Sequence, residues 1–164
     1  MNVKKLTTLS VSVALAMLLS FIESQIPPFV AVPGVKVGLS NIVTVALLYL
    51  YGAREAGVVS LVRVCLSSLL FGTSVSFIYS LTGAVLSFLI MLLFKSLNIF
   101  SEMGVSVLGG VFHNAGQIAV ACIIMENAAI SLYLPFLVIS GTVAGAVIGV
   151  VSAILTKRLV KIVK

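Results

Sequence analysis

The chain contains no tryptophan, no aspartate, one histidine and two cysteines. Charge is scarce as well: four acidic residues, all glutamate, stand against ten lysines and arginines, and only 9% of the chain is charged. Each shortage excludes a class of chemistry. Without aspartate there is no aspartate-rich motif of the prenyl-synthase kind to hold a magnesium diphosphate, and no Gly-rich loop runs into Lys-Ser/Thr to cradle a phosphate. One histidine without neighbouring carboxylates or thiols is a poor metal site, so no metal is expected. Cys65 and Cys122 lie inside apolar runs without metal-like spacing and read as small packed hydrophobes. On these grounds the chain is not expected to be an enzyme.

What is present is apolar. Of the 164 residues 61% are hydrophobic, with a mean hydropathy of +1.31, far from the roughly half-apolar, quarter-charged mix of soluble domains. The composition is that of an all-α integral membrane protein. Hydropathy and the breakers between runs predict six spans, at about 6–26, 37–53, 56–72, 74–94, 104–125 and 131–156. Each is near the ~20 residues that cross ~30 Å of hydrocarbon. A single six-helix transmembrane domain over 1–164 is expected.

The N-terminus imitates a signal peptide, with Lys4 and Lys5 before an apolar stretch. The run continues to about Ile26 without a small-x-small cleavage site, so it reads as a retained first helix. After it comes PPFVAVPGVK at 27–36, whose three prolines and one glycine cannot continue a helix yet are too apolar for a wet loop. A capping or partly re-entrant segment is predicted there.

Basic residues set the orientation. Placing both termini in the cytoplasm puts Lys4, Lys5, Arg54, Lys95, Lys157, Arg158, Lys161 and Lys164 inside and Lys36 alone outside. These flanking positions suit anionic lipid head groups better than nucleic acid, which is not expected as a partner. Arg63 is different, because it falls in mid-span and must face a protein interior or a watery cavity.

Two small-residue ladders stand out. Ser12, Ala16 and Ser20 repeat every four residues in the first span, and Gly141, Gly145 and Gly149 do so in the last. Either stripe could pack inside this protein or dock a separate membrane partner.

The unusual polarity is biased toward the outer half. In the expected orientation Glu23 and Asn41 lie in the outer third, Tyr79 and Ser80 in the outer half, and Arg63 and His113 near the middle. Spacings of three and four place His113, Asn114 and Gln117 on one helical face, continued by Gly110, where a helix or a ligand could approach the backbone. The trio reads either as a structural hydrogen-bond cluster or as one wall of a pocket; Arg63, Asn41 and Lys36 at compatible depth favour the pocket. A proton relay between Glu23 and His113 is a weaker alternative, since two ionisable groups do not make a pump.

The runs IPPFVAVPGVKVGLSNIV (26–43), RVCLSSLLFGTSVSFIYSLTGAVLS (63–87), GVSVLGGVFHNAGQIAVA (104–121) and LPFLVISGTVAG (134–145) resemble the Gx transporter family, also labelled heptaprenyl diphosphate synthase component I. The likeness covers nearly the whole chain. That family is similar to the S components of energy-coupling factor vitamin transporters, six-helix proteins of the bacterial cytoplasmic membrane that capture a vitamin from outside. The resemblance implies an S-component-like bundle whose ligand sits beneath the loop joining the first two helices, making Pro33, Gly34 and Lys36 a gate. It also implies that the first-helix stripe meets a transmembrane coupling subunit with its ATPases, although Ser12 and Ser20 replace the family's alanines. By association with membrane redox systems, flavin is the implied cargo, held noncovalently because no Ser-Gly-Ala-Thr type attachment sequence is present. Asn41, Arg63, Tyr79, His113, Asn114 and Gln117 are then the expected substrate-binding residues. Phe71, Phe77 and Phe112 would offer apolar ring faces, and Arg63 or Lys36 could meet a phosphate. The alternatives are a subunit that binds an isoprenoid diphosphate and a structural subunit of a membrane redox complex.

Overall fold

The computed structural model describes residues 3–25 and 38–163. Within them lie α1 (Val3–Gln25), α2 (Asn41–Leu50), α3 (Ala53–Phe71), α4 (Ser74–Leu97), α5 (Glu102–Ile124) and α6 (Leu134–Val163), with a 3-10 turn, Ala128–Tyr133, leading into α6. No strand occurs among the described residues. The expected cap at 27–36, and with it Pro33, Gly34 and Lys36, lies outside the described residues.

Local chemistry sets the helix ends. Thr73 Oγ1 accepts from the Ser76 N–H at 3.2 Å to start α4, and Ser101 Oγ accepts from the Gly104 N–H at 3.4 Å to start α5. Pro135 sits in the first turn of α6, where no N–H is required. Gly38 and Gly52 bracket α2 with φ of 88° and 105°, values that favour glycine and end a right-handed helix.

Four helical stretches are long and apolar enough to cross a membrane: Val3–Gln25, Ser74–Leu97, Glu102–Ile124 and Ala128–Lys161. All six expected helices are present, and two of them differ from the other four. The span expected at 37–53 is the 10-residue α2, which at 1.5 Å per residue covers only about half of the hydrocarbon thickness. α3 has 19 residues, and Arg54, Glu55 and Arg63 leave it no 18-residue stretch with fewer than three charges.

The partition of side chains is that of a protein dissolved in lipid. Large apolar side chains point outward, with Leu69 81%, Leu132 80% and Ile123 74% exposed. The interior holds Glu23, Asn41, Arg63, His113, Asn114 and Gln117, together with serines on every helix from α3 to α6. With no apolar driving force between helices in lipid, close packing of small residues and shared hydrogen bonds hold such a bundle together.

The short α2 is the innermost element. Its residues Val43 to Leu48 are buried, and it packs on α3 and α6; α1 lies on α3, α4 on α5, and α5 on α6. The glycine ladder of α6 is consumed by the last of these contacts. A Cβ on Gly110 would lie 2.4 Å from the Gly141 carbonyl oxygen, one on Gly145 2.7 Å from Val107 Cα, and one on Gly149 2.7 Å from Met103 Cα. The stripe on α1 is also turned inward: Ala16 is 2% and Ser20 4% exposed, with Ser12 half-buried. Those small side chains thus admit neighbouring helices of the chain itself.

The opposite ends of the helices, cytoplasmic in the expected orientation, are tied by charge. Lys95 Nζ donates to the Leu48 carbonyl, one of the carbonyls that the early end of α2 leaves open, and lies 4.8 Å over the Tyr49 ring. Lys5 pairs with Glu55, joining α1 to α3. Glu102 accepts from Ser152 at 3.1 Å and Thr156 at 3.0 Å, joining α5 to α6.

Candidate functional site

The polar groups of α1, α2 and α3 meet around Arg63. This residue belongs to a face of α3 shared by Ser60 and Ser67, three before and four after it, so helical spacing turns all of them inward. Arg63 is 6% exposed, and its Nη2 donates to Asn41 Oδ1, on the first residue of α2, at 3.4 Å. Glu23, 5% exposed near the end of α1, accepts from the Gly38 N–H and attracts Arg63 electrostatically. Charged residues are almost never buried this deeply unless they are matched, and here α1 and α3 supply opposite signs.

His113 and Gln117 close the layer from α5. They are one turn apart, 3% and 0% exposed, and both lie against Gly83 of α4. A Cβ on Gly83 would come 3.1 Å from His113 Cε1 and 3.0 Å from Gln117 Cγ; one on Gly38 would come 3.0 Å from Asn41 Nδ2 and 3.6 Å from His113 Cδ2. Gly83 thus makes room for the imidazole and for the Gln117 side chain.

Two expected site residues go elsewhere. Asn114 Nδ2 donates to the Leu137 carbonyl of α6 at 2.9 Å and abuts Gly141, so the expected single face of three splits into a pair facing α4 and one amide facing α6. The reason is the ~100° that separates successive residues on a helix. Tyr79, 1% exposed, packs with Ile118, Ala121, Ile130 and Leu137 in an apolar cluster. Phe71 pairs with Phe21 at 5.0 Å between ring centroids, beside Ala14, Met17 and Leu18 in an outer groove.

Glu23, Gly38 and Gly83 were not among the residues expected to build the site. A signal for Glu23 existed, since a carboxylate inside an apolar run is rare for the same energetic reason as Arg63. Contacts between Gly38, Gly83 and the imidazole leave no trace in spacing.

The layer retains unused hydrogen-bonding capacity. Arg63 Nε, Ser20 Oγ and Ser40 Oγ are buried and have no hydrogen-bond partner among the described residues. Most buried polar groups are satisfied, so an unspent donor on a buried guanidinium marks a place where a polar molecule would be stabilised. No cluster of three His, Cys, Asp or Glu side chains suited to a metal occurs among the described residues.

An all-helical bundle with an apolar exterior, membrane-length helices and a buried polar layer defines a multi-pass membrane protein. The sequence then specifies which kind: the family described as heptaprenyl diphosphate synthase component I matches residues 12–155, and the chain belongs to that family. No curated protein matches the chain.

Proposed function

We propose that this protein binds a small organic molecule in the layer around Arg63 and carries it across the cytoplasmic membrane of a bacterium, with a flavin as the cargo. The observation that supports this most is Arg63 itself. Its guanidinium is buried in a lipid-embedded bundle with one long bond to Asn41 and an unspent Nε donor, and an arrangement that costly has a purpose beyond packing.

In this reading Asn41, Arg63, His113 and Gln117 serve the polar edge of the cargo, while half-buried Phe77 and Phe112 border it with apolar surface. Asn114 supports α5 from behind. No chemical step is assigned to the chain, which has no aspartate anywhere. The similarity to S components, with both termini in the cytoplasm and an energising coupling subunit as partner, belongs to the same reading.

The family's description favours a second reading, in which the chain is an accessory subunit that binds an isoprenoid diphosphate for a prenyl diphosphate synthase. Spectroscopy separates the two. Protein purified in detergent should be yellow, or should quench the fluorescence of added riboflavin, FMN or FAD at micromolar concentration. Colourless protein that binds none of the three would refute flavin as cargo.

A further inference from the structure

We infer that Arg63 and the N-terminus of α2 form a subsite for a phosphate group of the cargo, and that Glu23 is the resident carboxylate which that phosphate replaces. The subsite presupposes the cargo pocket proposed above and adds to it the charge of the molecule it selects.

α2 begins behind Ser40, whose side chain makes no capping hydrogen bond. The N–H groups of Asn41, Ile42 and Val43 donate to the carbonyls of Gly38, Leu39 and Ser40, so what this helix start offers an anion is its partial positive charge. In this structure the anion there belongs to the chain itself, since Glu23 accepts from the Gly38 N–H just before the helix. Arg63 is brought to the same place by its bond to Asn41, the first residue of α2.

The helix start would mean little without the state of Arg63. The side chain is 6% exposed and its Nε has no partner among the described residues, while its Nη2 bond is long at 3.4 Å. A guanidinium is a rigid fork of donors that two oxygens of one phosphate can satisfy together. The unpartnered hydroxyls of Ser20 on α1 and Ser40 before α2 add donors at 4% and 0% exposure. Glu23 is coupled electrostatically to Arg63 and holds the place a cargo anion would take. Two anions repel strongly in so dry a site, so the phosphate enters as Glu23 withdraws, and that exchange releases the end of α1 from the start of α2.

The test titrates full-length protein in detergent with riboflavin, FMN and farnesyl diphosphate, comparing wild type with Arg63→Gln, Glu23→Gln and Arg63→Lys. FMN should bind wild type about tenfold or more tighter than riboflavin. Arg63→Gln should abolish that preference, weakening FMN about tenfold more than it weakens riboflavin, and Arg63→Lys should keep part of it. Glu23→Gln should tighten FMN by about tenfold, because the competing carboxylate is gone. If Arg63→Gln weakens riboflavin and FMN equally while Arg63→Lys folds normally, the phosphate subsite is wrong although the pocket stands. Weaker FMN binding by Glu23→Gln would overturn the exchange. If neither flavin binds, flavin as cargo falls and farnesyl diphosphate decides: binding that Arg63→Gln abolishes supports the subsite, and no binding of any of the three overturns it.

Discussion

Asn114 and His113 are adjacent in sequence and both buried, yet they serve different neighbours. The Asn114 amide donates to the Leu137 carbonyl, whereas His113 lies beside Gly83 in the layer that holds Arg63. Replacing Asn114 with Ala removes a buried hydrogen bond and should cost ~1–2 kcal/mol, read as a lower unfolding temperature in detergent. Cargo affinity should change less than about twofold; a selective loss of affinity with unchanged unfolding would return Asn114 to the binding wall. That these side chains matter was legible in the sequence, because polar groups inside apolar runs are expensive wherever they point. Their division between α4 and α6 was not, since spacing gives angles on one helix and says nothing about where its neighbours stand.

Among helices, the decisive contacts are those in which side chains are missing. α5 and α6 approach so closely that Gly110, Gly141, Gly145 and Gly149 have no room for a Cβ. Gly145→Leu should separate the two helices and destabilise the bundle by more than the ~1–3 kcal/mol typical of overpacking, because its nearest obstacles are backbone atoms of Ser106 and Val107. Val147→Leu, on the exposed face of the same helix, is the control and should leave the unfolding temperature unchanged within error. Both ladders were visible as every-fourth-residue stripes, but their partners were not. A stripe of small residues fits a foreign helix as well as a native one, and here α5 fills the glycine stripe of α6.

The molecule as a whole is organised along its axis, with Arg63 and its neighbours toward one end and the Lys5–Glu55, Lys95–Leu48 and Glu102–Ser152 contacts toward the other. In the proposed orientation the second end, with its basic flanks, faces the cytoplasm. Single cysteines at Ala128 and Lys161, with Cys65 and Cys122 replaced by serine, test this orientation. Ala128→Cys should react with a membrane-impermeant maleimide in intact cells, and Lys161→Cys only after permeabilisation; the reverse pattern would invert the protein and turn its proposed pocket inward.

Composition and hydropathy established that this chain dissolves in lipid and that Arg63 and His113 had to be shielded. Those conclusions follow from solvation costs, which each residue carries regardless of its neighbours. The truncation of α2, the inward turn of Ser12, Ala16 and Ser20, and the meeting of Glu23 with Gly38 and Arg63 emerged from the packed bundle. They depend on which helices lie side by side, and residues 40 positions apart, such as Glu23 and Arg63, share a site only because α1 and α3 pack together.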